Sequence, residues 1–248
     1  MPTATSTQPL QMELPSVSFF GRTLQEYSRF FALDPAKLRG DAVLDVAGGP
    51  ASFTAEAGRF GIDAVAVDPL YQHSPDALAL KVREDYAKMF AQMRAKPRLL
   101  RFKSFTSIDA AEIDRRAAAQ RFLHDYAGNV RHGRYVRGAL PLLPFLDEAF
   151  SLVLCAHLLF IYALRFDYAW HLDACVELMR VSSGEVRIHP VCGPDGRPYP
   201  ALERLCQDLL ARGIRSEIVR VEYEFFAGAH SMLILRRDRP VRKPAAAA

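Results

Sequence analysis

Two aspartates stand where ligand chemistry would need them. Asp45 ends a short apolar run, residues 42–45, and the small-residue turn Ala47-Gly48-Gly49-Pro50-Ala51 follows almost at once. Asp68, 23 residues beyond Asp45, follows a second apolar run, 64–67, and precedes Pro69. Small residues after a strand let a ligand approach the backbone closely. A carboxylate at the end of the next strand can accept two hydroxyl hydrogen bonds, as from the paired hydroxyls of a ribose. Plainer roles exist, since Asp45 can cap the loop and Asp68, before proline, can start a turn. Their occurrence together, in register after successive strands, favours ligand binding.

Two further side chains could act on a bound molecule. His157 follows a later apolar run, 152–155, and Tyr162 lies five residues past it. An imidazole ordinarily titrates near neutrality, so His157 is the first candidate general base and Tyr162 the second catalytic candidate. The competing reading makes His157 a structural histidine and packs Tyr162 against Phe160. His189 and His230, near the ends of later runs, are weighed in the same way.

The elements that position these residues follow from periodicity. Leu24, Tyr27, Phe30 and Phe31 recur at helical spacing over 24–33, and a second helix starts near Ser52 and stops at Gly61. Strand, glycine loop, helix and strand within about 25 residues make a βαβ unit with parallel strands. Helices are expected over 76–94, 107–126, 168–179 and 201–212, and strands over 135–139, 152–155 and 185–188, the last after a Ser182-Ser183-Gly184 turn. Two closing runs, 218–226 and 231–236, are separated by only Ala227-Gly228-Ala229-His230, which favours an antiparallel hairpin. The fold class is therefore α/β, an open, seven-stranded, mostly parallel sheet with helices on both faces, an antiparallel last strand and a helical insertion after the second strand. The expected organisation is a disordered leader, 1–15, one domain, 16–236, containing the insertion at about 71–134, and a disordered basic tail, 237–248.

Composition excludes several classes. Half of the 248 residues are hydrophobic and 24% are charged, the balance of a globular enzyme. No apolar run reaches the roughly 18 residues of a membrane span, so no membrane partner is expected. Cys155, Cys175, Cys192 and Cys206 form no C-x-x-C pair. Reduced thiols in a cytoplasm are expected, with no metal site. Residues 81–137 hold fourteen Lys or Arg against six Asp or Glu, a local excess of +8 in a chain of net +4. An insertion of this size leaving the sheet beside Asp68 is expected to cover the ligand mouth and choose the substrate, with Arg131, Arg134 and Arg137 attracting an anion. A solvated helical surface is the alternative.

These residues also carry a resemblance. Val43-Leu44-Asp45-Val46-Ala47-Gly48-Gly49-Pro50-Ala51 resembles the first motif of class I, Rossmann-like SAM-dependent methyltransferases (SAM, S-adenosylmethionine). Asp68 matches the acid that bonds the cofactor ribose in that family. Leu143-Pro144-Phe145 leading to Phe150-Ser151-Leu152-Val153-Leu154 is similar to the family motif at the fourth strand, with Ser151 where aspartate is usual. Glu177, Arg180, Val181 and Gly184 resemble the turn before the fifth strand. Ala47 and Ala51 occupy two glycine positions of the family loop, and Gly138-Ala139 lacks the acid that often contacts adenine. Such variants, with Ser52-Phe53 and the His157-x-x-Phe160-x-Tyr162 run, are similar to a bacterial branch of the family with a divergent glycine loop.

The resemblance implies SAM as cofactor, held by Asp45, Ala47, Gly48, Gly49, Ala51, Asp68 and Pro69. It also implies methyl transfer to a small or medium-sized acceptor, with His157 and Tyr162 nearest the chemistry. The basic excess favours an anionic small molecule, and the absence of an aromatic-basic RNA module disfavours nucleic acid. Two other functions compete. Nicotinamide-dependent oxidoreduction wants G-x-G-x-x-G, which Gly48-Gly49-Pro50 fits badly. A non-catalytic protein of the same fold, binding SAM or a partner, is the other alternative.

Overall fold

Aliphatic residues at successive positions bury both faces of the strand Ala42–Val46 (β1). Val43 joins one core, while Leu44 and Val46 join the core on the opposite face. The structure, a computed structural model, describes residues 10–238. In chain order the other strands are Asp63–Val67 (β2), Tyr135–Val136 (β3), Phe150–Ala156 (β4), Ser182–His189 (β5), Ile214–Arg220 (β6) and Ser231–Arg237 (β7). They form one sheet in the order β3-β2-β1-β4-β5-β7-β6. β1 pairs in parallel with β2 and β4, while β7 runs antiparallel to β5 and β6. This is the open, mostly parallel α/β sheet that the resemblance implied.

Helices cover both faces. Leu24–Phe30 (α1), Phe53–Ala57 (α2), Pro75–Ala95 (α3) and Ile108–Asn129 (α4) bury residues in one core. Tyr168–Val181 (α5) and Leu202–Leu210 (α6) bury theirs in the other. No described helix is long and apolar enough to cross a membrane. α1 starts where Thr23 accepts from the Glu26 N–H and Glu26 answers the Thr23 N–H, a reciprocal cap.

The helical segment between β2 and β3 is part of the main core. Parallel strands need a crossover, and α3 and α4 supply it. Phe122 and Tyr126 of α4 join Tyr71 and Tyr135 in an aromatic cluster with ring centroids 5.3 to 5.7 Å apart. Part of its basic surface is paired: Arg94 with Asp109 and Glu112, Arg116 with Glu112, and Arg134 with Asp125.

Several local expectations need correction. The closing hairpin has its first strand four residues early, at 214–220, and the link to β7 is residues 221–230. Val221, Tyr223 and Phe225, inside the expected run 218–226, are buried against the α3–α4 layer instead, and Arg101 donates to the Phe225 carbonyl. Ser182-Ser183-Gly184 is not a turn but the irregular start of β5, where the register with β4 shifts. A side chain at Gly184 would lie 2.2 Å from the Ser151 carbonyl oxygen, so glycine permits the strands to close. β3 ends at Val136 rather than 139, because Gly138 is wedged against Val67 and Pro144. Residues 1–9 and 239–248, most of the expected leader and tail, lie outside the described residues. The leader's remaining part is docked: Met12 is buried, and its N–H donates to the Pro194 carbonyl at 2.8 Å.

Candidate functional site

The chain steps from β1 outward to β2 and β3, then returns to lay β4 beside β1. A crevice opens at such a reversal, beyond the carboxyl ends of the strands. The residue after β1, Ala47, and the residue after β4, His157, both take left-handed backbone conformations, with φ of 56° and 53°. Non-glycine residues are strained there, and here they form the two lips of the crevice.

The crevice holds a cavity of two lobes that share Val17, Ser18, Ala47, Asp68 and Leu158 as walls. One lobe, about 340 Å³, is a mainly apolar slot bounded by Leu70, Gly138, Ala139, Leu140, Phe166 and Trp170. The Phe166 and Trp170 rings stack 3.8 Å apart. The smaller lobe, about 100 Å³, is bounded by Gly49, Arg22, His157, Tyr162 and a group of apolar residues. Met89 and Met93 of α3 belong to that group, as do Met12, Leu14 and Phe20 from the N-terminal segment.

Asp68 lies between the lobes. One carboxylate oxygen accepts from the Gly49 N–H at 3.2 Å and the other from the Leu70 N–H at 2.9 Å. Burial pushes its pKa up to about 6, against the pull of these two N–H groups. Each oxygen keeps further acceptor capacity toward the cavity.

The expected cofactor residues divide in two. Ala47, Gly49, Asp68 and Pro69 line the lobes. Asp45, Gly48 and Ala51 stand behind them and line neither. Asp45 receives the Tyr27 hydroxyl at 3.0 Å, and burial pushes its pKa to about 8. Gly48 is small because a side chain would meet Asp45, Tyr71 and Ala66 within 3.2 Å. Ala51 lies beneath Gly21, whose own side chain would fall 2.1 Å from the Pro50 carbonyl. Gly49 has the opposite character: space above it is open to 3.7 Å, and its φ of 53° is what calls for glycine.

His157 keeps its place at the crevice. Its backbone N–H donates to the His189 carbonyl at 2.6 Å, while its Nδ1 has no partner among the described residues. Burial, then the charge of Arg22, with His189 and Arg115 adding smaller contributions, hold its pKa well below the usual range, so the ring is neutral near pH 7. The Tyr162 hydroxyl accepts the Ser18 N–H at 2.9 Å and so ties down the N-terminal segment. His230 lies away from the lobes, 3.7 Å from Glu224.

Sequence reasoning missed residues 10–22, a strap across both lobes. Its backbone is held by side chains of α3: Phe19 N–H donates to Asp85 at 2.7 Å and Gly21 N–H to the Tyr86 hydroxyl at 3.1 Å. Nothing local in the sequence marks those pairings. Met89 and Met93 of α3 join the strap in lining the smaller lobe. Arg131, Arg134 and Arg137, expected to draw an anion, line neither lobe; Arg131 and Arg137 are exposed and Arg134 is paired with Asp125. Among the described residues, no cluster of His, Cys, Asp and Glu could hold a metal ion.

No family model matches the chain. It is similar to an uncharacterized protein of Methanocaldococcus jannaschii, 29% identical over 227 residues that cover 91% of this chain and 99% of the relative. Among solved structures it is similar to a TehB-like SAM-dependent methyltransferase from Corynebacterium glutamicum (14% identity, 82% of this chain, 86% of the other, TM-score 0.45). Another similar structure is magnesium protoporphyrin IX methyltransferase from Synechocystis with bound SAM (12% identity, 81% and 71% covered, TM-score 0.42).

Proposed function

We propose that the chain binds SAM across the two lobes and transfers its methyl group to a small, largely apolar acceptor. The observation that carries this reading is the bilobed cavity divided by Asp68 at the β1/β4 reversal. The apolar slot suits a purine face, Asp68 suits a ribose diol, and Gly49 leaves backbone open beside the second lobe. Bound there, SAM would supply an electrophilic methyl on its sulfonium.

The protein's part is then largely positioning. The strap, Met89 and Met93 exclude water and orient the acceptor, and such alignment is a major source of rate in a direct displacement. His157, neutral and lining the smaller lobe, would accept a proton if the acceptor must lose one. A dinucleotide fits poorly, because the Ser52 N–H at the start of α2 already donates to the Arg22 carbonyl and Gly21 abuts Pro50.

Titration calorimetry with SAM, its demethylated product and NAD tests the reading. SAM and its product should bind and NAD should not. Asp68→Asn keeps an acceptor for a backbone N–H but removes the charge, and should weaken SAM by roughly tenfold or more, the scale of one charge-assisted bond. Unchanged affinity would place the cofactor elsewhere. Binding without turnover over a panel of acceptors would select the non-catalytic alternative.

A further inference from the structure

Five buried side-chain polar atoms among the described residues have no hydrogen-bond partner, and three of them are Arg22 Nε, His157 Nδ1 and His189 Nδ1. Arg22 and His157 line the same lobe. His189 is packed against His157, ring centroids 5.1 Å apart, with Phe30 covering both. Unpartnered buried donors and acceptors are uncommon, and two of them on one lobe with a third packed behind ask for an explanation.

Arg22 is the most telling. Its Nη1 donates to the Phe20 carbonyl at 3.1 Å, and among the described residues it forms no ion pair. The nearby carboxylate, Glu26, is already committed. It accepts three hydrogen bonds from Arg115 at 2.8 to 3.3 Å, another from the Tyr223 hydroxyl at 2.6 Å, and one from the Thr23 N–H. One carboxylate thus serves two guanidiniums, and the repulsion of Arg115 works against the charge of Arg22. Arg22 is half-buried with its Nε shut from solvent, and a cation held there with only a shared carboxylate as counter-charge destabilises the ligand-free protein.

We propose that Arg22, with the neutral His157 beside it, is a receiving site for a carboxylate in the smaller lobe. One unpaired positive charge matches one negative charge, and the apolar walls would leave the second charge of a phosphate uncompensated. The carboxylate has two possible sources, the amino-acid end of the cofactor or the acceptor. The first source rests on the cofactor reading given above; the second does not.

The test uses the full chain and its Arg22→Gln variant, titrated with S-adenosylhomocysteine, with 5′-methylthioadenosine, which lacks the amino-acid end, and with phenylacetate against phenylacetamide. If the cofactor supplies the carboxylate, the variant loses about tenfold or more in S-adenosylhomocysteine affinity and nothing in methylthioadenosine affinity. If the acceptor supplies it, both nucleosides bind the variant normally, while phenylacetate binds only the wild type and phenylacetamide binds neither. Unchanged S-adenosylhomocysteine affinity together with no Arg22-dependent phenylacetate binding overturns the proposal. Failure of both nucleosides on the wild type would refute the cofactor reading, and the phenylacetate arm would then decide the proposal alone. The melting temperature supplies a separate check. Removing an unpaired cation should raise it in the ligand-free protein, whereas a structural role for Arg22 would lower it.

Discussion

The two lobes of the cavity are built by different means. The apolar slot rests on the ends of β1, β2 and β4, whose backbones are locked by ladder pairings such as Asp45 to Ala66 and Asp45 to Leu154. The strap lines both lobes and gives the smaller one more of its wall; it is fastened by hydrogen bonds between its backbone and α3, Tyr162 and Pro194 and by the buried side chains of Met12, Phe19 and Phe20. The first wall is as stable as the sheet. The second can open while the sheet stays folded, because its fastenings are side-chain bonds and packing that lie outside the strand ladders. A ligand that must enter a covered site needs this division, with a fixed seat on one side and a releasable cover on the other.

The largest effect should come from breaking the polar cluster behind the strap. Arg115 and Glu26 are almost wholly buried and 2.8 Å apart, and they join α1, α4 and, through Tyr223, the link before β7. Arg115 also lies over the Phe225 and Phe20 rings, at 4.9 and 5.4 Å. Glu26→Gln leaves Arg115 and Arg22 without a carboxylate, and losing one partner of a buried pair costs about 3–5 kcal/mol. Chemical denaturation reads this loss. Hydrogen exchange should show the strap and α1 deprotected well before β1 and β4. A loss below about 1 kcal/mol, or uniform deprotection, would erase the distinction between the two walls.

The same division explains what the sequence made legible. β1, its glycine loop, β2 and Asp68 form one local unit, and periodicity with turn chemistry reveals such a unit directly. Ala47, Gly49, Asp68 and Pro69 therefore line the cavity as their sequence positions suggest, as does His157 at the end of a plain apolar run. The strap was hidden because its order depends on Asp85, Tyr86, Tyr162 and Pro194, which lie at least 65 residues away in the chain. Arg22 was hidden for the same reason, since only the commitment of Glu26 to Arg115 leaves it unpaired. Residues 221–226 alternate like a strand, but that pattern serves packing against the insertion. Alternation reports which side is buried, and by itself it does not identify the partner.

On the sheet-built side, pH offers a smaller and more selective perturbation. Burial, with Asp68 adding to it and the Tyr27 hydroxyl opposing it, raises Asp45 to about 8. In the unfolded chain an aspartate titrates near 4, so folding takes up a proton between these values. The stabilisation is full below about pH 4 and is lost as pH rises through 8. Asp68, at about 6, has the same sign but is largely titrated by pH 7. The buried His189, depressed to about 3, has the opposite sign: it contributes stability above about pH 6.5 and loses it below. Between pH 6.5 and 8 Asp45 therefore dominates. Ligand-free protein should lose up to about 2 kcal/mol across that window, and Asp45→Asn should flatten the slope. Equal slopes in the two proteins would show that Asp45 is ionised in the folded state.

The smallest effect belongs to the strap's own fastening. Tyr162→Phe removes the acceptor for the Ser18 N–H but keeps the ring, which is buried among residues of the α5–α6 core. A neutral hydrogen bond contributes about 0.5–1.5 kcal/mol net, so stability should fall by about 1 kcal/mol. The loss lies in the strap, so cleavage by trypsin at Arg22 should quicken while the sheet stays protected. Once an acceptor is known, kcat should fall less than tenfold, with the acceptor KM rising because the lobe is less well closed. Loss of a proton-transferring group would instead lower the rate by about 10²–10⁴-fold with KM little changed. That outcome would make Tyr162 a catalytic residue and would place part of the chemistry on the movable wall.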